Sequence, residues 1–187
     1  MNALADETDR KQLRLLADTL ASISRGADAA STLGVFVEHF GEIAGLRALL
    51  ELSPTQAGGF RIEWARLFDR AGRPAAVPEG LVGSVLSGGV IVEAAGEAAE
   101  EPVWRNGLDS RDCAALSTVF DAPPGSGEAG CGVVVAPVFR RNEPPNRVVT
   151  VRDGRVPVNA THARLALSNA NLLAQIVDRQ VLLEERE

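Results

Sequence analysis

The chain has 187 residues, 45% hydrophobic and 24% charged, with 19 basic against 25 acidic side chains and a net charge of −6. That balance fits one soluble domain with a sizeable core and argues against a nucleic-acid binder, which needs a basic surface. The two cysteines, Cys113 and Cys131, make neither a metal set nor a disulfide framework. The acidic N-terminus has no targeting character, and no apolar run approaches the roughly 20 residues that span a bilayer, so a cytoplasmic protein without membrane contact is expected.

Residues 6–24 read as a helix. Leu13, Leu16, Leu20 and Ile23 form a narrow seam of coiled-coil type. Gly26 closes it, and Asp28 suits the N-cap of a second helix carrying Leu33, Phe36, Val37, Phe40 and Ile43 on one stripe. From Leu46 the pattern alternates. Leu46, Ala48, Leu50 and Leu52 point one way and Arg47 and Glu51 the other, as in a half-buried strand. Pro54 and Gly58-Gly59 make a turn into a strand with Phe60, Ile62 and Trp64 on one face.

Residues 79–86 read as a short helix stopped by Gly88-Gly89, with Val90–Val92 as a brief strand. No periodicity survives from Glu93 to Asp109. Asp109 or Ser110 then caps a short helix holding Cys113, Leu116, Val119 and Phe120. The runs Cys131–Phe139 and Arg147–Val151 are apolar on both faces and joined by a polar turn, so they predict an antiparallel pair at a sheet centre. Pro137 lacks a ladder donor and predicts a bulge or a break there. Asn159 or Thr161 opens a long helix to at least Leu183, with more apolar positions than one sheet contact needs. The expected core is Leu33, Phe36, Phe40, Leu46, Ala48, Leu50, Ile62, Leu81, Val85, Val133, Val135, Val149, Val151 and Leu173.

The order helix, strand pair, Gly80-Leu-Val-Gly-Ser-Val-Leu-Ser-Gly-Gly-Val-Ile-Val92, loop-rich crossover, the strand ending Val135-Ala-Pro-Val138, and closing helix resembles a GAF domain. The resemblance covers about Asp28 to Val177. It implies an α/β (α+β) fold, with a central antiparallel sheet between helices and a ligand pocket against the crossover, here roughly Trp104 to Phe120. One departure is the longer stretch Asp153–Val158 before the last helix. The expected organisation is residues 1–27 as an N-terminal dimerisation helix, 28–178 as the GAF-like domain, and 179–187 as the start of a linker helix.

Within the crossover, Trp104, Asn106, Asp109, Arg111 and Asp112 offer a stacking face, an amide, carboxylates and a guanidinium. They read either as a ligand site, with Cys113 beside them, or as a surface loop anchored by one tryptophan. Cys113 lies near a helix start, where a thiolate is stabilised, yet small buried residues are the favoured reading of both cysteines. The bilin-attaching and methionine sulfoxide-reducing members of the resembling family use histidine-rich or three-cysteine surroundings that are missing here. The Asn-Lys-Phe-Asp-Glu series of cyclic-nucleotide members cannot be complete, since Lys11 is the only lysine. His39 and His162 read as solvated or structural. Gly125–Gly130 matches G-x-G-x-x-G but precedes a strand, so it reads as a loop.

The expected function is a non-catalytic regulatory module that binds a small molecule, dimerises, or both, and relays its state through the terminal helices. A homodimer would bury the surplus apolar surface in a four-helix arrangement. The alternatives are a thiol-dependent enzyme of the free methionine sulfoxide reductase type and a purely structural dimerisation domain. No metal site and no cofactor identity follow from the residues.

Overall fold

The runs 132–138 and 146–152 are adjacent strands at the middle of an antiparallel sheet, as their two-sided hydrophobicity requires. The computed structural model describes residues 3–24, 45–117, 131–139, 144–154 and 157–184. Its elements in chain order are α1 (Ala3–Ser24), β1 (Leu46–Pro54), β2 (Phe60–Phe68), β3 (Pro74–Ala75), β4 (Val85–Leu86), α2 (Val90–Glu97), β5 (Val103–Asn106), α3 (Ser110–Ala115), β6 (Gly132–Val138), β7 (Asn146–Arg152) and α4 (Ala160–Glu184). The sheet runs β3-β2-β1-β7-β6-β5, and β4 also pairs with β2. The expected second helix, with Leu33, Phe36 and Phe40, lies outside the described residues, as do Gly125–Gly130 and the Leu173 side chain.

Two covers bury the sheet. On one face, Ile91, Ala94 and Ala95 of α2 and Cys113 of α3 pack on Ala48, Leu50, Leu52, Val133, Val135, Val149 and Val151. On the other, α1 and α4 pack on Leu46, Leu49, Phe68, Ala136, Val138 and Val148. Small residues at helical spacing, Ala163, Ala166, Ala170 and Ala174, line the inner side of α4, which lets its backbone lie close to the strands.

Several sequence expectations are corrected. β1 is not half-buried: Leu46 to Leu50 are all buried, because both faces of this central strand are covered. Its register against β7 shifts between Leu46 and Ala48, leaving Arg47 as the extra residue, so Leu46 faces the α1–α4 side while Ala48 and Leu50 face α2. A second shift opposite Glu51 and Leu52 leaves Glu63 extra on β2. It turns Trp64 away from Phe60 and Ile62 and toward the terminal helices. Strict alternation cannot reveal either shift.

The segment 79–86 is not helical. Gly80 and Gly83 sit at φ +80° and +88°, and the chain folds back to bond Ile62 at both its N–H and C=O before Val85 and Leu86 pair with β2. Val85, expected in the core, faces out opposite the exposed Arg61 and is 49% exposed. Val90–Val92 opens a helix instead of forming a strand, and Gly88-Gly89 precede that helix where they were expected to end one. The β-branched trio is overruled by the fold, because a distant carboxylate binds the first amides of α2.

Pro137 makes no bulge. The β6–β7 register is continuous through Pro137 opposite Arg147. The Pro137 carbonyl accepts from Asn171 Nδ2 of α4 (3.4 Å) and so points away from β7, and β5 reaches only as far as Val135. The missing N–H therefore falls on a side where no ladder partner among the described residues needs it. Among the described residues the expected first helix stands, as does α4, whose N-cap Asn159 accepts from the His162 N–H at 3.0 Å. The expected helix at 109–120 is described only as α3, with Val119 and Phe120 outside the described residues.

Val135 and Val149 face each other across β6 and β7 and are fully buried. Valine to alanine at either should cost about 1–3 kcal/mol in urea denaturation. A loss under about half a kcal/mol at both, the range of surface substitutions, would contradict the two-sided burial.

Candidate functional site

The crossover between β4 and β6 builds its local structure on two aspartates. Asp109 is the N-cap of α3 and accepts from the N–H groups of Arg111 (2.9 Å) and Asp112 (3.0 Å). Asp112 reaches back to the Asp109 N–H (3.4 Å), completing a capping box. The same Asp112 carboxylate accepts from Val90 N–H (2.8 Å) and Ile91 N–H (3.2 Å), so one buried side chain caps both short helices. Gly89 is required at this junction. Its φ is +102°, and a Cβ there would stand 2.7 Å from an Asp112 oxygen.

Burial pushes the Asp112 carboxyl up to about 6 against the pull of the α2 amides, and the neighbouring Asp109 charge adds to the rise. Asp109 moves the other way, held below the usual carboxylate range chiefly by the Asp112 N–H it binds. Arg111 is exposed and lays its guanidinium over Gly88, where an added Cβ would meet Nη1 at 2.5 Å.

Cys113 points into the core on the α2 side, and burial pushes its thiol up to about 11, with the Cys131 thiol as the next cause. Cys131 packs against the same cluster, and burial raises it as well while the Arg47 guanidinium partly offsets the rise. Both thiols are free. The helix-start position therefore does not give Cys113 a stabilised thiolate, because desolvation outweighs it.

The residues expected to converge are divided by the sheet. Asp109, Arg111, Asp112 and Cys113 belong to the α2–α3 side. Trp104 and Asn106 pair with Val134 and Gly132, and Val134 packs under Val158 and Ala163 at the start of α4, so both lie on the terminal-helix face. Arg105 between them turns to the α2 side and pairs with Glu97. The fold thus keeps Trp104, 39% exposed, apart from the crossover carboxylates.

Two arginines were missed. Arg147 is buried on the α2 side, donates from Nε to the Ala95 carbonyl (2.9 Å) and from Nη1 to Pro145, and rests 5.6 Å over the Phe60 ring. Burial lowers its pKa. Arg47, the extra residue of β1, is buried at the opposite end of that strand, where its Nε donates to the Phe68 carbonyl at 3.3 Å. Both were legible as a charge set within a strand apolar on its two faces. The α2–α3 side thus carries an apolar cluster, two thiols that burial keeps protonated and the Arg147 guanidinium. Among the described residues no three His, Cys, Asp or Glu side chains gather to hold a metal, and no helix is long and apolar enough to cross a membrane.

Neither a protein-family model nor a curated protein matches the sequence. Solved structures do. The phycoerythrobilin-bound GAF domain of a cyanobacterial phytochrome superposes with a TM-score of 0.54 at 11% identity, covering 93% of this chain and 98% of that one. The GAF domain of a phosphoenolpyruvate-protein phosphotransferase from Coxiella burnetii gives 0.54 at 16% identity, covering 93% and 97%. A phycocyanobilin-bound cyanobacterial phytochrome GAF domain gives 0.51 at 12%, covering 91% and 96%. The chain has the GAF-domain fold.

Asp112→Asn replaces one acceptor oxygen with a donor that faces the α2 amides. It should destabilise the domain by about 1–3 kcal/mol in urea at neutral pH, the cost of an unmatched buried donor. The pH profile should change too. A carboxyl whose folded pKa is raised from 3.8 to about 6 contributes stability that is present below 3.8 and lost as pH rises through about 6. The asparagine variant should lose that component of the fall, and an unaltered profile would contradict the buried setting of Asp112.

Proposed function

We propose that this GAF-fold chain is a regulatory module and not an enzyme, taking a small molecule on the α2–α3 side of its sheet and reporting through a homodimer of its terminal helices. The observation that carries the reading is the way α1 packs. Its buried stripe is Thr8, Gln12, Leu15 and Thr19, which leaves Leu13 53% and Leu20 48% exposed with Leu16 partly covered. Leu13 and Leu20 stand seven residues apart, on one helical face, as a seam for a second copy requires. Leu13 and Leu20 of the seam read from the sequence therefore lie off the face that packs on the chain's own body. A second copy would bury these leucines in a four-helix arrangement with α4.

The ligand half of the reading is supported by the fold and by the chemistry of the α2–α3 side. An apolar floor with Arg147 near one end favours a largely apolar molecule with an acidic or strongly accepting group. Two of the similar solved domains hold bilins, molecules of that general character. Arg111, exposed above Gly88, would act at the rim of such a site. A thiol-dependent reaction has less support, since burial holds Cys113 protonated up to about 11.

Sedimentation at micromolar concentration should give a dimer that Leu13→Asp plus Leu20→Asp weakens while the far-ultraviolet circular dichroism is kept. A monomer in the unmutated chain defeats the assembly half. Native mass spectrometry of the purified protein should retain a small molecule, with occupancy reduced by Arg147→Gln and unchanged by Trp104→Ala on the opposite face. The reverse pattern moves the site to the terminal-helix face. Turnover of methionine sulfoxide in an NADPH-coupled assay, abolished by Cys113→Ser, would replace the regulatory reading with an enzymatic one.

A further inference from the structure

All the buried side-chain nitrogens and oxygens that lack a hydrogen-bond partner among the described residues belong to α1, α4 and the end of β7. From α1 come Asp9 Oδ1, Gln12 Oε1 and Thr19 Oγ1; from β7, Arg152 Nε and Nη1; from α4, both ring nitrogens of His162 and Asn169 Oδ1. His162 is 0% and Arg152 2% exposed. Asp9 Oδ1 lies 2.8 Å from His162 Nε2, near enough for an ion pair yet poorly aligned for a hydrogen bond. His162 therefore has the carboxylate neighbour that the sequence around it does not supply.

This is an unusual way to seat a helix. Leu15 is the one large apolar side chain that the described part of α1 buries. The rest of its inward stripe is polar and incompletely matched, and a half-satisfied buried network holds less well than an apolar contact of the same size. Leaving the body would return Asp9, Gln12 and Thr19 to water together and would hydrate His162 and Arg152 at the same moment. α1 is the terminal cover most easily removed.

We propose that α1 is a detachable helix, held on the body by Asp9 against the buried His162 and Arg152 and released when His162 gains a proton. The charged groups facing His162 are Asp9 from α1 and Arg152 from β7; Glu7 and Lys11 pair with each other on α1. A protonated imidazole would be a second cation beside Arg152 with no water to screen it. Burial and Arg152 oppose that charge more than Asp9 favours it, so the imidazole of the seated state is held below its ordinary value of 6.5. The unseated state takes up the proton at the ordinary value. Seating is thus fully favoured above about pH 6.5 and weakens as pH falls below it. The switch is a property of one chain and does not rest on the dimer, although it would act on any dimer that α1 helps to form.

Hydrogen exchange on the full-length chain tests the proposal, with rates corrected for the intrinsic pH dependence. Between about pH 8 and about pH 5.5, a range spanning ordinary imidazole titration, the amides of α1 should lose protection while those of β6 and β7 keep it. His162→Gln should flatten that loss, and His39→Gln should leave it intact. In case His162→Gln does not fold, the carbon-13 shift of the His162 imidazole in the unmutated chain gives the same answer, by titrating together with the loss of α1 protection. Protection of α1 that is constant across the range overturns the proposal. So does a loss shared equally by the sheet, a loss that persists in a folded His162→Gln chain, or a loss that His39→Gln removes.

Discussion

A strand buried on both faces has no solvent side, and the three central strands β1, β7 and β6 are all of that kind. Their backbone groups must be satisfied by neighbouring strands and their side chains by two separate covers. The chain meets the second demand from sequence segments far apart. The crossover between β4 and β6 covers one face, and the two terminal helices cover the other. Every other feature follows from this division. It fixes which side each charged residue of β1 and β7 must take, and it separates Trp104 from the crossover carboxylates although only a few residues lie between them.

The two covers are built from different chemistry. Beneath α2 and α3 the packing is aliphatic and the polar groups are locally matched, with Asp112 joining the starts of two helices that are each too short to be stable alone. Beneath α1 the packing is largely polar. A helix seated by few apolar contacts opens at a smaller free-energy cost than the sheet it covers, so the two sides of the same sheet differ in local stability.

Much of this architecture was legible in the sequence. The doubly apolar runs 131–139 and 147–151 identified the sheet centre, and the ordered phrases around Gly80–Val92 and Val135–Val138 led to the GAF-domain fold. What failed did so for physical reasons. Val90–Val92 has strand propensity, but Asp112, some twenty positions away, supplies the cap that makes it a helix. Alternation misassigned Leu46 and Trp64 because Arg47 and Glu63 each insert one residue and reverse the facing. The candidate site was half legible. Arg111 and Asp112 were singled out, while Arg47 was read as facing outward from a half-buried strand and Arg147 was left as the unremarked first residue of an apolar run. The two-sided hydrophobicity around each was the signal that the guanidinium had to be buried and bonded to carbonyls.

The meeting of Pro137 with Asn171 has a consequence for how copies of this protein avoid one another. β5 pairs with β6 only through Val135, so the last part of β6 is a strand margin that no described strand covers on that side. Such margins invite a strand from another molecule. Here the invitation is withdrawn at consecutive outward positions. Pro137 has no proton to give, its carbonyl is engaged by the Asn171 amide, and the Phe139 N–H is turned to the Asn171 oxygen at 3.5 Å. A residue of α4 thereby acts as a stopper on the open end of the sheet. Ladder-type growth from this margin, the route toward fibrous aggregates, is obstructed at these two positions.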